Sequence, residues 1–336
     1  MRAVLTMAHG DRSNLKLVED FPDPVPAEDE VVVRVAATAL NYHDIFTRRG
    51  MPGIRLELPV IVGSDIAGEI VETGSAVTGW SVGDRVLIDP VYRDGKRSGM
   101  IGETAHGGRA ELVSAPASQL IRVPDAVSLE DAASLPLGYG TAYRMMITRG
   151  QIAAGEKVLI LGASGGVGVA CVQLAKLYGA EVVACASSQS KIERLRQLGA
   201  DHVIDYSKQA ILDGIREIYG KPRTNGDGGV DVAINFTGGD TWVETQKCVK
   251  KHGRIITCGA TAGYEMMTDA RYLWTYEHHM LGSNGWSPAD LEALLALIES
   301  GRLKPVIDKV FPLEEIDEAE RLLEDREVFG KVIMRP

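Results

Sequence analysis

One segment constrains the fold of this chain more than any other. Residues 157–180 have the sequence KVLILGASGGVGVACVQLAKLYGA, an apolar strand-forming run, a glycine-rich turn and a helix-forming run. Ala163, Gly165 and Gly168 follow the G-x-G-x-x-G spacing, with alanine in the first position. Glycine lets a pyrophosphate approach the backbone at 165 and lets helix and strand pack closely at 168, while the helix N-terminus attracts phosphate. The turn predicts a dinucleotide site formed by Ser164, Gly165, Gly166, Val167 and Gly168.

The rest of the sequence falls into two regions with different patterns. Up to about Val123 it consists of short β-rich runs broken by glycine and proline, which indicates an all-β, barrel-like module. From about Ser128 strands and helices alternate, which indicates a doubly wound parallel sheet. We therefore expect an α/β protein with a catalytic β-barrel domain at 1–126 and 287–336, and a Rossmann domain at 127–286. The sheet should end in an edge strand near Met280–Asn284, and a closing strand, Lys331–Met334, should return to the first module.

Composition excludes several partners. The net charge of −10 disfavours nucleic acid, which is bound by clustered Lys and Arg. No uninterrupted apolar run reaches the ~18 residues of a membrane span, and the N-terminus lacks a signal peptide. The four cysteines are far apart, a spacing that suits neither a disulfide framework nor a structural zinc site. We expect a cytoplasmic protein that acts on a small molecule, and an exposed sheet edge that favours a homodimer.

The end of the second predicted strand bears on the choice of cofactor. An NAD site places an acid there to bind the ribose 2′-hydroxyl. This chain has Ser187, Ser188 and Lys191 instead, with no acid before Glu193. Hydroxyls and an ammonium suit a 2′-phosphate, so the sequence favours NADPH. The alternative is that Ser188 or Ser190 only caps the following helix.

Several further motifs resemble the medium-chain dehydrogenase/reductase superfamily in their order along almost the whole chain. They are Asn41-Tyr42-His43-Asp44, Gly63-Ser64-Asp65-Ile66-Ala67-Gly68, Gly83-Asp84-Arg85-Val86, Leu135-Pro136, Thr141-Ala142-Tyr143, the turn above and Gly330-Lys331. The resemblance implies a GroES-like catalytic domain and a Rossmann domain, with nicotinamide in the cleft between them. It also implies that Lys331 reaches the cofactor phosphates and that Thr141, Gly259 and Ala260 flank the nicotinamide.

The chain departs from the zinc-dependent members of that superfamily. Where they carry a cysteine, a His-Glu pair and a second cysteine, this chain has Asn41, Ser64-Asp65 and Leu137. Zinc requires thiolate, imidazole or carboxylate donors, and Asp65 alone cannot hold it. The stretch Asp89–Gly107, which would carry the second zinc, contains no cysteine. We expect no metal, and hence no Lewis acid for alcohol oxidation.

Among zinc-free members the chain resembles quinone oxidoreductases and, in Cys258–Tyr264, Asp269–Trp274 and Gly282-Ser283, crotonyl-CoA reductases/carboxylases. In the carboxylating members Asn, Glu and His hold carbon dioxide. Asn41 and Glu103 match the first two, whereas Asn284 stands at the histidine position. The resemblance thus implies Asn41, Glu103 and Asn284 as catalytic candidates but disfavours carboxylation. The tyrosine donor of mitochondrial-type enoyl-thioester reductases would fall near Met51 and is missing.

These observations predict an NADPH-dependent oxidoreductase that transfers hydride to an activated double bond, in an α,β-unsaturated carbonyl or thioester, or to a quinone. The alternatives are a zinc-independent alcohol or aldehyde dehydrogenase and a non-catalytic NADPH-binding protein. Several residues have two interpretations at this stage. Tyr42, Tyr139 and Tyr143 suit either a substrate cleft or a core, His278 and His279 are taken as structural, and His43, His106 and Glu103 suit a plain surface.

Overall fold

The structure, a computed structural model, describes residues 1–51 and 56–336. It divides into two compact units. Unit 1 comprises Met1–Gly138 and Leu291–Pro336, and unit 2 comprises Tyr139–Asp290.

Unit 2 is built on a parallel sheet. Its strands are β9 (Lys157–Ile160), β10 (Glu181–Ala186), β11 (His202–Asp205), β12 (Val230–Ile234), β13 (Val249–Thr257) and β14 (His279–Gly282), numbered after the eight strands that precede them in unit 1. The connecting helices are α3 (Thr141–Tyr143), α4 (Gly166–Leu177), α5 (Gln189–Gln197), α6 (Ile211–Tyr219), α7 (Thr241–Cys248) and α8 (Ala270–Thr275), with π-helical turns at Leu135–Gly140 and Arg144–Arg149 around α3.

The strand order in unit 2 is β11-β10-β9-β12-β13-β14, and every neighbouring pair is parallel. This is the 3-2-1-4-5-6 order of a dinucleotide-binding sheet, whose order reverses between β9 and β12. Ligands of such sheets bind beyond the carboxyl ends of the strands at that reversal. The predicted doubly wound sheet is confirmed, and so is its edge strand, because β14 ends the sheet.

Unit 1 is dominated by antiparallel strands. They are β1 (Ala3–Thr6), β2 (Leu15–Val18), β3 (Glu30–Leu40), β4 (Val60–Ile61), β5 (Asp65–Thr73), β6 (Arg85–Ile88), β7 (Leu112–Pro116), β8 (Leu120–Arg122), β15 (Ile307–Pro312) and β16 (Lys331–Arg335). The α-helices are α1 (Tyr42–Arg49), α2 (Leu129–Ala133) and α10 (Ile316–Glu324), while α9 (Pro288–Glu299) crosses the division between the units. Among the described residues the main sheet has the order β15-β16-β3-β5-β6-β8, with β7 also paired to β3.

The closing strand returns to this sheet as expected. β16 pairs antiparallel with β3, with Val332 opposite Leu40, while β3 pairs with β5, with Ala39 opposite Asp65. The residues that follow Leu40 and precede Val332 therefore meet the start of β5. This register brings together side chains from three distant parts of the sequence.

A glycine bend divides one β-rich run into two strands. Within Val60–Thr73, β4 and β5 are separated by residues 62–64, and the φ of +101° at Gly63 lies in the left-handed region. A Cβ at Gly63 would come within 3.0 Å of the Arg109 side chain. The chain therefore needs a glycine bend here, and the bend sends β4 to pair with β1 while β5 pairs with β3.

Candidate functional site

The glycine-rich turn after β9 has the geometry of an anion site. Gly162 takes the left-handed conformation, with a φ of +64°, so the tight turn depends on Gly162 and alanine is tolerated at 163. The first backbone bond within α4 runs from the Val169 N–H to the Gly165 carbonyl at 2.9 Å. The amides of Gly166, Val167 and Gly168 precede that bond, as the N–H groups of a first helical turn do. They lie beside the order reversal of the sheet, where phosphate is expected.

Two glycines of this turn differ in what a side chain would meet. A Cβ at Gly168 would lie 2.2 Å from the Gly162 carbonyl oxygen and 2.6 Å from the Ala163 backbone, so the packing of helix on strand excludes it. A Cβ at Gly165 would meet only the Gly162 oxygen at 3.7 Å, and the φ of −79° there suits any residue. The protein itself does not require glycine at 165. The backbone at 165 is open to a ligand, and the turn therefore fits a dinucleotide pyrophosphate.

The residues expected at the 2′-phosphate follow β10. Ser188 occupies the N-cap position of α5, yet its side chain makes no capping hydrogen bond. Ser187 is exposed, while Ser188 and Lys191 are half-buried. The proposed capping role of Ser188 is therefore wrong. A hydroxyl in this place beyond the carboxyl end of β10 is well placed for a ligand.

The sequence analysis did not single out Asn235, which fixes the turn after β12 on the other side of the point where the strand order reverses. Asn235, directly after β12, is fully buried, and its Oδ1 accepts bonds from the amides of Thr237 and Gly238, both at 3.0 Å. That turn joins the turn after β13, since the Thr261 and Ala262 amides donate to the carbonyls of residues 236 and 237 at 3.2 and 2.7 Å. The signal was available, because a polar Asn follows an apolar strand and precedes Gly238-Gly239.

Gly259 and Ala260 lie in the turn that follows β13. The Thr257 hydroxyl donates to the Gly259 carbonyl at 2.8 Å, which fixes the beginning of that turn. Thr141, which begins α3, is half-buried, and Asn284, two residues after β14, is exposed. Tyr139 is a core residue whose hydroxyl donates to Gln173 at 2.7 Å. Each of these residues is in unit 2, whereas Asn41, Glu103 and Lys331 are in unit 1.

Unit 1 contains a buried polar cluster, here called the Lys331 cluster, made of Asn41, Asp65, Lys331 and the Leu137 amide. Lys331 Nζ donates to Asn41 Oδ1 at 2.6 Å, to Asp65 Oδ2 at 3.0 Å and to the Leu40 carbonyl at 3.2 Å. The Lys331 residue is 2% exposed. The Leu137 amide donates to Asp65 Oδ1 at 2.8 Å. Residues from the three motifs that the resemblance compares with zinc-ligand motifs, Asn41, Asp65 and Leu137, thus lie together.

The donors of the Lys331 cluster do not fit a zinc ion. Leu137 offers a backbone N–H, which repels a cation, and Asn41 offers a neutral amide. The one carboxylate, Asp65, already accepts from Lys331 and Leu137. Within residues 1–51 and 56–336 no group of three or more His, Cys, Asp and Glu side chains is placed to hold a metal ion.

A second titratable pair adjoins this cluster, and it joins the catalytic candidate Glu103 to His43, which the sequence alone indicated as a surface residue. His43 Nε2 lies 3.3 Å from Glu103 Oε1, and the Glu103 residue is only 6% exposed, so Glu103 is not a surface acid. Burial lowers the pKa of His43, but Glu103, Asp44 and Asp65 together outweigh it and raise the pKa above the ordinary 6.5. The raised pKa of His43 favours its protonated form, so this side chain is a candidate proton donor.

Helix α1 carries Asn41 and His43 on a rigid base. The backbone N–H of Asn41 donates to Asp44 Oδ2 at 2.9 Å, and the Arg109 guanidinium donates to the same carboxylate at 3.3 Å. Arg48 and Arg109 both bind the buried carboxylate of Glu320 on α10. Because buried charges cost free energy unless paired, this network holds α1 in one position. Burial raises the pKa of Asp44 although Arg109 lowers it.

Comparison with known proteins places this fold and site in a family. The description "Alcohol dehydrogenase GroES-like domain" matches residues 27–125, and "Zinc-binding dehydrogenase" matches residues 166–300. An acryloyl-coenzyme A reductase of Sulfurisphaera tokodaii is 32% identical, covering 97% of this chain and 98% of that protein. A quinone oxidoreductase of Homo sapiens is 30% identical, covering 99% and 97%.

Two solved structures extend the likeness to three dimensions. An NAD-dependent alcohol dehydrogenase has a TM-score of 0.92 at 35% identity, with both chains fully covered. A 2-octenoyl-CoA carboxylase reductase in complex with NADP and 2-octenoyl-CoA has a TM-score of 0.86 at 30% identity, covering 99% of this chain and 87% of that one. The chain belongs to the medium-chain dehydrogenase/reductase superfamily and is an enzyme.

Proposed function

We propose that this enzyme uses NADPH to reduce a carbon–carbon double bond conjugated to a carbonyl, in an enone or an enoyl thioester. The observation that carries the proposal is the Lys331 cluster. In this cluster the side-chain amide of Asn41 is bound by the Lys331 ammonium, and the amide N–H group can donate a hydrogen bond to a carbonyl oxygen. The cluster offers no set of ligands for a metal ion that would lower the pKa of an alcohol. Reductases of acryloyl-CoA and the octenoyl-CoA enzyme that binds NADP support the substrate class and the cofactor.

The cofactor residues have separate roles in this proposal. The amides of Gly166, Val167 and Gly168 bind the pyrophosphate, and Gly165 leaves room for it. Further along the edge Ser187, Ser188 and Lys191 bind the 2′-phosphate, and Thr141, Gly259 and Ala260 flank the nicotinamide. Bound NADPH supplies a hydride to the β-carbon of the substrate. The chain provides the orientation, which by itself lowers a barrier by several kcal/mol.

Unit 1 provides the polar groups for the substrate. The Asn41 amide donates to the carbonyl oxygen, on which negative charge develops as hydride arrives at the β-carbon. The resulting enolate takes a proton at its α-carbon, and the His43–Glu103 pair is our candidate for the source of that proton. The π bond of the carbon–carbon double bond is thereby replaced by two C–H bonds, one formed with the hydride and one with the proton.

Protonation, rather than capture of carbon dioxide, completes the reaction in this proposal. Carboxylation needs donors around both oxygens of carbon dioxide. At the position of the histidine in carboxylating relatives this chain has Asn284, an amide that cannot become a cation. Loss of one such donor costs about 2.7–4 kcal/mol in a transition state, enough for protonation to win.

A quinone is the second candidate substrate, favoured by the human quinone oxidoreductase that matches nearly the whole chain. We further propose that the enzyme acts in the cytoplasm as a homodimer. β14 ends the sheet of unit 2 and leaves an edge that a second copy can cover. Within the described residues no helix is long and apolar enough to cross a membrane.

The test is oxidation of NADPH by the purified enzyme with crotonyl-CoA, longer enoyl-CoAs, simple enones or quinones. In a parallel assay, alcohols are offered with NADP, and formation of NADPH is measured. Products from labelled bicarbonate buffer are identified by mass spectrometry. We expect saturated, unlabelled product from an enone or enoyl-CoA. Fast quinone reduction with no enone turnover would move the assignment to quinone oxidoreductase, a labelled main product would refute protonation, and no turnover at all would favour a non-catalytic NADPH-binding protein.

A further inference from the structure

The strongest unassigned feature is the position of the Lys331 ammonium. A lysine ammonium has three N–H donors, and all three are used, by Leu40, Asn41 and Asp65. None remains for the cofactor phosphates, the role that the superfamily resemblance implies. The ammonium instead contacts Asn41 and Asp65, which belong to two of the motifs that the resemblance compares with zinc-ligand motifs. A buried cation therefore lies in the part of unit 1 that this resemblance compares with a metal site.

The Asn41 amide connects this cation to the substrate side. Its Oδ1 accepts from Lys331, and its Nδ2 donates to Asp65 Oδ2 at 2.9 Å and to the Ala39 carbonyl at 3.3 Å. The bond to Ala39 is the longest, so a substrate carbonyl can replace that partner at the least cost. An amide whose oxygen is bound by a cation is a stronger N–H donor, because charge-assisted hydrogen bonds polarise the next one in the chain.

We propose that Lys331 is a positioning residue that acts as a fixed cation in place of a metal, and that it polarises the substrate carbonyl through the amide of Asn41. This inference rests on the proposed reduction of a conjugated carbonyl. Asp65 balances the charge, and the Leu137 amide holds Asp65 in place. Because the ammonium is buried, its field acts in a medium of low dielectric constant, where a charge has more effect than at the surface.

Two variants separate this role from simple charge pairing. Lys331→Met removes the cation and leaves Asp65 buried without its ion-pair partner, which lowers stability. Lys331→Met with Asp65→Asn removes both charges, so we expect stability to recover. If Lys331 only neutralises Asp65, this double variant recovers kcat as well. If the cation itself polarises Asn41, kcat stays about 100- to 1000-fold below wild type, as for the loss of an oxyanion donor.

Three measurements on the full-length enzyme decide the matter: thermal stability, the Kd of NADPH by fluorescence, and kcat for crotonyl-CoA or the best substrate of the panel above. Lys251→Met is the matched control, since Lys251 pairs with Glu277, whose side chain is 58% exposed, so its loss buries no unpaired charge and should leave all three unchanged. We expect the double variant to bind NADPH within about twofold of wild type while kcat is lost. A tenfold rise in the Kd with kcat preserved would assign Lys331 to the cofactor, and recovery of kcat would leave it a structural partner of Asp65. Either result overturns the proposal.

A measurement on bound substrate, without turnover, tests the role of Lys331 separately from the proposed function. Infrared spectra of crotonyl-CoA labelled with ¹³C at the carbonyl, bound with NADP, report how strongly the carbonyl is polarised. We expect a lower stretching frequency on the wild type than on the double variant. Equal frequencies would refute the inference even if the enzyme reduces enoyl-CoAs. A frequency difference without reduction of any enone would instead refute the proposed function alone.

Discussion

The turn at residues 162–168 allows a sharp test of the cofactor site, because two of its glycines are required for different reasons. Gly165→Ala places a methyl group where the protein leaves 3.7 Å to its nearest atom. We expect a stability loss below about 1 kcal/mol, the range of a change at a helix N-cap. A methyl group between the backbone and a pyrophosphate should remove one charge-assisted hydrogen bond worth about 1.5–3 kcal/mol. The Kd of NADPH should then rise roughly 10- to 100-fold.

Gly168→Ala is the matched variant with the opposite expectation. Its methyl group would lie 2.2 Å from the Gly162 carbonyl oxygen, so the backbone itself must move. Overpacking of this kind costs about 1–3 kcal/mol or more, which lowers the melting temperature by roughly 2–4 °C per kcal/mol. Fluorescence titration and a thermal melt of both variants check the pair. Unchanged NADPH binding by Gly165→Ala, or unchanged stability of Gly168→Ala, would refute the reason given for that glycine.

Four further outcomes are expected. NADPH should bind at least tenfold tighter than NADH, and Lys191→Ala should weaken only NADPH; equal titrations of the two cofactors would contradict this. Elemental analysis should find no stoichiometric zinc, and a chelator should leave activity intact. Light scattering should give twice the chain mass of 36.2 kDa, whereas a monomer at all concentrations would argue against a dimer. Finally, the reduction rate should fall as pH rises through the pKa of His43, which lies above 6.5, because only protonated His43 can donate a proton. His43→Gln should remove this pH dependence. If the pH–rate profile of the variant is the same as that of the wild type, His43 is not the donor.

The fold of unit 2 could be predicted because its signals are local. The strand, turn and helix around Gly165 follow one another within a single segment, and alternation of strands and helices specifies a parallel sheet. Detail that depends on distant contacts could not be predicted in this way. Gly63 breaks a run that looks like one strand, since Arg109 approaches it from another part of unit 1.

The Lys331 cluster of unit 1 could not be predicted as a whole, because its contacts join the two ends of the chain. Lys331 and Asn41 are 290 positions apart, and nothing in the sequence near either residue indicates their 2.6 Å hydrogen bond. Asn41 was a candidate from its motif alone, and Lys331 was assigned by resemblance to another role. The pairing of β16 with β3 brings them together, and that register is a property of the folded sheet.

The proposed use of an ammonium in place of a metal bears on which reactions such a site can promote. A zinc ion binds an alcohol oxygen directly and lowers its pKa, so it assists reactions that begin by removing a proton from oxygen. An ammonium that acts through an amide forms no such bond, and it can only stabilise negative charge that arises on a nearby oxygen. A conjugated carbonyl requires no more than this, because hydride arrives at the β-carbon and the charge moves to the carbonyl oxygen. The chemistry of Asn41, Asp65 and Lys331 thus matches reduction of a conjugated double bond better than oxidation of an alcohol.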